Sequence, residues 1–129
     1  MSNNKDMIKD LYAKFAAGDV PGAMANFHEE IEWTEAEGSP EAGTYIGPQS
    51  VIENIFAKIG EEWASYRVEP HTFVAEGDMV IALGEYSGTR KDTEKSFTAP
   101  FAHAWTLKNG KVTKFFQYTD TVLIQAVLN

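Results

Sequence analysis

No cysteine occurs in the chain, so a disulfide framework and thiol chemistry are both excluded. No run of about 18 apolar residues exists, which excludes a membrane-spanning helix and leaves no reason to expect a membrane partner. Positive charge is scarce: 11 Lys and Arg stand against 19 Asp and Glu, a formal net charge of −8. Binding nucleic acid requires a basic face to neutralise phosphates, so no such partner is expected. The three histidines, His28, His71 and His103, show neither H-x-x-x-H nor H-E-x-x-H spacing, so no metal is expected. Gly84 and Gly88 fall in a strand pattern and no G-x-G-x-x-G occurs, so no nucleotide, flavin or other cofactor is expected. Repeats, low-complexity tracts and linkers are missing too. The opening MSNNKDMIKD is polar and lacks the apolar stretch of a signal peptide. With zero cysteines, that suits a cytoplasmic protein.

What is present suits one domain over residues 1–129, with 43% hydrophobic and 23% charged residues. The most informative stretch is FAHAWTLKNGKVTKFFQYTD, Phe101 to Asp120. Asn109-Gly110 reads as a two-residue type I′ hairpin turn. Regular pairing from that turn sets His103 opposite Phe116, Phe101 opposite Tyr118 and Trp105 opposite Lys114. One face then carries Phe101, His103, Trp105, Leu107, Val112, Phe116, Tyr118 and Asp120. The other carries Ala102, Ala104, Thr106, Thr113, Phe115, Gln117 and Thr119. The first face joins aromatic bulk to ionisable groups, as a pocket does. Lys114 fits it badly and marks a snorkelling side chain or a bulge.

Upstream, Met7, Ile8, Leu11, Tyr12 and Phe15 predict an amphipathic helix over 5–17. Asp19 and Pro21 predict a second, short helix with Ala23, Met24 and Phe27 buried. Glu30 to Glu35 alternates as a strand with Ile31, Trp33 and Glu35 on one side. Residues 36–47 read as a loop. A third helix follows to about Ile59, ended by Gly60. Strands are predicted over 66–75 and 78–89, the first with an edge or bulge at Pro70. Residues 121–128 continue the last strand or form a closing helix. The class is α+β: helices against a long, mainly antiparallel sheet that curls into a cone with a hollow end.

The segments LYAKFAAGDVPGAMANFHEEIEW, GTYIGPQSV and APFAHAWTLKNGKVTKFFQYTDT resemble SnoaL-like proteins. These are ketosteroid isomerase-related members of the nuclear transport factor 2-like superfamily. The resemblance covers nearly the whole chain and is most specific in the final ribbon. It implies a cone-shaped α+β barrel with an apolar pocket, usually dimeric through the sheet. It does not imply one reaction, since isomerases, cyclases, hydrolases, dehydratases and binders share the fold. By alignment with ketosteroid isomerase, Glu35 takes the place of the base and His103 that of the oxyanion-donating acid. The oxyanion tyrosine falls on Leu11, with Tyr12 one position away. By the polyketide-cyclase pattern, Asp120 within Tyr118-Thr119-Asp120 takes the acid/base position.

The candidate catalytic groups are therefore Asp120, His103, Tyr118 and Glu35. Each has a plainer alternative. Asp120 suits a strand-end cap, His103 a satisfied core histidine and Glu35 a run of exposed acids. His103 and Tyr118 are diagonal neighbours on the regular ribbon, within reach of a hydrogen bond. The candidate substrate-binding wall is Trp33, Phe101, Trp105, Phe116, Tyr12, Phe15, Phe56 and Tyr86. The expected function is cofactor-independent carboxylate acid–base chemistry on an apolar carbonyl-bearing or polycyclic molecule. A non-catalytic binder of a small apolar ligand, and a dimeric interaction protein with a filled cone, are the alternatives. The flat second face of the ribbon is expected to pair with a second copy as a homodimer.

Overall fold

The computed structural model describes residues 3–129. Asn3 opens the first helix, its side chain accepting from Asp6 N at 2.8 Å. Helix α1 (Asn4–Ala16) buries Ile8, Leu11 and Tyr12, the stripe its periodicity predicts. Asp19 caps α2 (Val20–Met24), with Pro21 in its first turn. Strand β1 (Phe27–Glu35) directs Ile31, Trp33 and Glu35 inward. Residues 36–47 are not all loop: β2 (Gly43–Ile46) pairs antiparallel with β1, setting Tyr45 beside Trp33.

The third helix is longer and less regular than expected. It runs from α3 (Pro48–Val51) through a π-helical stretch (Ile52–Phe56) into α4 (Ala57–Glu62), past Gly60. The wider turn changes the helix phase where Ile55, Phe56 and Ile59 face the interior. Then come β3 (Trp63–Glu76), β4 (Met79–Arg90), β5 (Ser96–Lys108) and β6 (Lys111–Thr119). Helix α5 (Thr121–Gln125) closes the chain.

The strand order is β2-β1-β6-β5-β4-β3, so the curved sheet has two edges and does not close. All neighbours are antiparallel except β1 and β6, which are parallel. Helix α1 lies against β3 and β4. Between helices and sheet sits the main core, including Ile8, Ile31, Val51, Trp105 and Leu107. Burying a tryptophan such as Trp105 contributes roughly 4–6 kcal/mol before entropy is counted. A second cluster, Trp63, Tyr86, Phe97, Ala99, Phe101, Ile124 and Val127, is sealed by α5 and the residues after it.

The final hairpin departs from regular pairing. Lys108 faces Lys111 and Leu107 faces Val112, but Thr106 faces Lys114, leaving Thr113 as an extra residue. Beyond this bulge the phase of β6 reverses. Trp105 now faces Phe115, His103 faces Gln117 and Phe101 faces Thr119. Phe115 and Gln117 are buried, whereas Phe116 and Tyr118 are 41% and 55% exposed. The expected inward placement of Phe116, Tyr118 and Asp120 is therefore corrected. The physical reason is Lys114, which an unbroken ladder would have buried opposite Trp105.

A second bulge, at His71, shifts the β3–β4 ladder just after Pro70. It brings the β3 backbone close to Gly84. A Cβ there would lie 2.3 Å from Glu69 O and 2.6 Å from Phe101 Cζ. Gly84→Ala is expected to destabilise the fold by about 1–3 kcal/mol. The check is a lower urea midpoint with an unchanged slope.

Candidate functional site

The helices do not fill the concave face of the sheet. They leave a cavity of about 740 Å³. Its wall is largely aromatic, with Phe15, Trp33, Phe56, Phe73, Trp105 and Phe115 contributing. Tyr12, Glu35, Tyr66, Tyr86, His103 and Gln117 supply polar groups, and Lys9, Arg67 and Glu69 add charges. This space does not match a filled cone.

Of the twelve residues proposed from sequence, Tyr12, Phe15, Trp33, Glu35, Phe56, Tyr86, His103 and Trp105 line the cavity. Phe101 is buried behind His103, their ring centroids 3.9 Å apart, and belongs to the second core cluster. Phe116 and Tyr118 point away on the convex face. Asp120 is exposed and caps α5, accepting from Leu123 N at 3.3 Å. Residues not foreseen are Phe73, Tyr66, Phe115 and Gln117. The misfit of Lys114 was the available signal for the last two.

His103 sits on β5 with both ring nitrogens engaged. Tyr12 OH lies 2.5 Å from Nδ1, and Tyr86 OH lies 2.5 Å from Nε2. The expected partner Tyr118 plays no part. Trp105 Nε1–H donates to Tyr12 OH at 2.9 Å, and Gln117 Nε2 donates to Tyr86 OH at 2.9 Å. The amide orientation of Gln117 is set by Ala36 N, which donates to its Oε1 at 3.0 Å. A chain of hydrogen bonds thus runs Trp105–Tyr12–His103–Tyr86–Gln117.

Counting hydrogens along that chain gives a chemical result. The two phenols and a neutral imidazole carry one hydrogen each. Only two links, the ones at His103, remain for those three hydrogens, because Trp105 and Gln117 donate at the outer two. One phenol donates to the unprotonated ring nitrogen; the other accepts from the ring N–H. The second phenol therefore keeps a hydrogen that no protein group in the chain accepts. Tyr12 and Tyr86 both line the cavity, so an oxygen there is the candidate acceptor.

The protonation states support the count. Burial holds the His103 pKa down to about 3, so the ring is neutral near pH 7. Burial raises both phenols above their ordinary value, outweighing the donated bonds from Trp105 and Gln117. Glu35 behaves differently. It ends β1 two residues after Trp33 on the same face, and its Oε2 accepts from Trp33 Nε1 at 2.9 Å. Burial lifts its carboxyl from 4.5 to about 7, and the indole bond opposes only part of that rise. It can therefore hold or release a proton near neutrality.

The two shifts give opposite pH dependences. The depressed His103 contributes stability present above about pH 6.5 and lost as pH falls toward 3. The raised Glu35 contributes stability present below about pH 4.5 and lost as pH rises through 7. Glu35→Gln is expected to leave stability at pH 4 nearly unchanged. At pH 8 it should raise stability by up to roughly 3 kcal/mol. Denaturant titrations of both proteins across pH 4–8 check this.

Comparison with known proteins agrees with this fold. The family model described as a SnoaL-like domain matches residues 8–115. The sequence matches no curated protein. Among solved structures, a nuclear transport factor 2-like protein of Burkholderia thailandensis is 38% identical, with a TM-score of 0.97 over 100% of this chain and 99% of that one. Another nuclear transport factor 2-like protein, from Burkholderia pseudomallei, is 27% identical, with a TM-score of 0.90 over 100% and 99%. TerC, co-crystallised with polyporic acid, is 29% identical, with a TM-score of 0.88 over 98% of each chain.

Proposed function

The chain belongs to the SnoaL-like domain family, and from that premise we propose that it is a cofactor-independent proton-transfer enzyme acting on a small, largely apolar carbonyl compound. One observation carries the reading: a buried carboxyl with a pKa near 7 and a phenol with an unused hydrogen face the same cavity. Glu35 as carboxylate takes a proton from carbon next to a carbonyl. The electron pair moves onto the carbonyl oxygen, and the free phenolic O–H donates to the enolate that forms. Returning the proton at the same or another carbon completes an isomerisation. His103 positions the two phenols and does not itself reach the reacting atoms, because both its nitrogens are occupied. The aromatic wall supplies apolar contact for the rest of the molecule.

A second reading, a binding module without chemistry, is favoured by that same saturation of His103. The relative crystallised with polyporic acid supports a small organic ligand under either reading. A cytoplasmic location goes with both and rests on the zero cysteine count.

Aryl-fused cyclic ketones such as tetralone, incubated with the protein in D₂O, test the chemistry. Deuterium gain next to the carbonyl is read by mass spectrometry. Wild type should exchange, at a rate that rises with pH through about 7. Glu35→Gln should lower the rate by about 10²-fold or more while tetralone still quenches tryptophan fluorescence at similar concentration. Asp120→Asn keeps a capping side chain and should exchange like wild type. Undiminished exchange in Glu35→Gln rejects Glu35 as base; binding without exchange by wild type favours the second reading.

The reading includes a homodimer through the convex face. Val74, Met79, Leu83, Phe116 and Tyr118 are exposed there on β3, β4 and β6. The phase reversal of β6 makes this face more apolar than the sequence suggests, and a second copy with the same patch is its simplest cover. The double variant Phe116→Glu, Tyr118→Glu should sediment as a monomer where wild type sediments as a dimer. A monomeric wild type rejects the dimer.

A further inference from the structure

Glu35 stands in a wall between two cavities. Behind it lies a second one of about 20 Å³, which shares Glu35, Ile59, Tyr66 and Gln117 with the large cavity. Its far side is formed by Ser39, Pro40, Glu41, Trp63 and Ile124. A single water needs roughly 10–15 Å³ and two to four polar partners. The space suits one such molecule, and the partners are present. Glu35 has one carboxylate oxygen beyond the one bonded to Trp33. Ser39 Oγ is enclosed and has no protein partner among the described residues, an unfavourable state unless water satisfies it.

Beyond this space the route reaches solvent. Glu41 is half-buried on the loop between β1 and β2, and Glu62, at the end of α4, is its neighbour. Burial, followed by a hydrogen bond and charge from Glu62, pushes the Glu41 carboxyl up to about 7. Glu35 also acts on it as a like charge, and Arg90 acts in the opposite sense. Glu62 Oε1 is enclosed without a protein donor among the described residues, so a proton on Glu41 gives the pair a bond it otherwise lacks. When a ligand fills the large cavity, water has little access to Glu35 from that side.

We propose that one water in the small cavity connects Glu35 to Glu41, and that Glu41 with Glu62 forms the exit by which Glu35 exchanges its proton with solvent. The proposal rests on Glu35 acting as the base. The step is redox-neutral. Protonated Glu35 gives its hydrogen to the water, the water passes a different hydrogen to the Glu41 carboxylate, and Glu41 releases it to bulk. Glu35 is returned as carboxylate. Glu41 is a relay residue, distinct from the groups that touch substrate.

The test has a structural and a kinetic arm. A crystal structure of wild type should show an ordered water within hydrogen-bond distance of Glu35, Ser39 Oγ and Glu41. Glu41→Gln should slow deuterium wash-in to tetralone by about tenfold, with unchanged quenching affinity and a melting temperature no lower than that of wild type. Added formate, small enough to carry a proton through the loop, should restore the rate in Glu41→Gln and leave wild type unaffected. A dry cavity overturns the relay, as does wild-type wash-in by Glu41→Gln when Glu35→Gln is inactive. Undiminished wash-in by Glu35→Gln is a different failure: it removes the base itself, and the relay with it.

Discussion

An ammonium buried in the apolar cluster around Trp105 would lose its hydration, and that constraint sets the phase of β6. Regular pairing from the Asn109-Gly110 turn would bury Lys114 there without a counter-charge, at a cost of several kcal/mol. One extra residue, Thr113, turns Lys114 out to solvent at the smaller cost of a locally broken ladder. Thr113 Oγ1 donates to Thr106 O at 3.2 Å, which recovers part of that loss. Every later residue of the strand then changes side. Phe115 enters between Trp33 and Trp105, its ring centroid 3.8 Å and 4.7 Å from theirs. Phe116 and Tyr118 are left on the convex face.

Gln117 is the other residue the bulge brings inward, and it ties the site together. Its carbonyl is held by the backbone after β1 and its amide holds Tyr86 on β4. Tyr86 meets His103 on β5, and His103 meets Tyr12 on α1. Five separate parts of the chain are thus joined through groups whose burial leaves few other partners. A change at any link leaves a buried polar atom without a partner, so the chain orients the phenols as well as supporting the fold. The outward turn of Lys114 and the placement of Tyr86 are in this sense one event.

The fold was readable because its signals are local. The helical stripe of α1, the Asp19 cap, the alternation of β1 and the Pro70 bulge all depend on neighbours a few residues away. β2 was not readable: GTYI is short, flanked by Gly and Pro, and forms because β1 offers an edge. The wall of the site was readable where a residue lies before the bulge, as with His103, Trp105, Trp33 and Glu35. It failed after the bulge, where a slip of one residue moves every side chain to the other face. The partners of His103 were hidden for another reason. Tyr12 and Tyr86 are 91 and 17 residues away in sequence, and no spacing rule connects them.

Folding requirements alone do not account for a carboxylic acid at position 35. The indole N–H of Trp33 needs an acceptor, and a glutamine amide oxygen would serve equally well. An amide would also avoid the loss of stability that the raised pKa imposes as pH climbs through 7. The same holds at position 41, where a carboxyl is placed half-buried beside Glu62 and within the field of Glu35. Two acids whose pKa burial raises, on either side of a one-water space, are a poor solution for stability. They are a good one for moving a proton, since burial lifts both carboxyls toward neutral pH. What the carboxylates add over amides at these positions is reversible ionisation, and the cavity's unused phenolic hydrogen is the complementary half of the same chemistry.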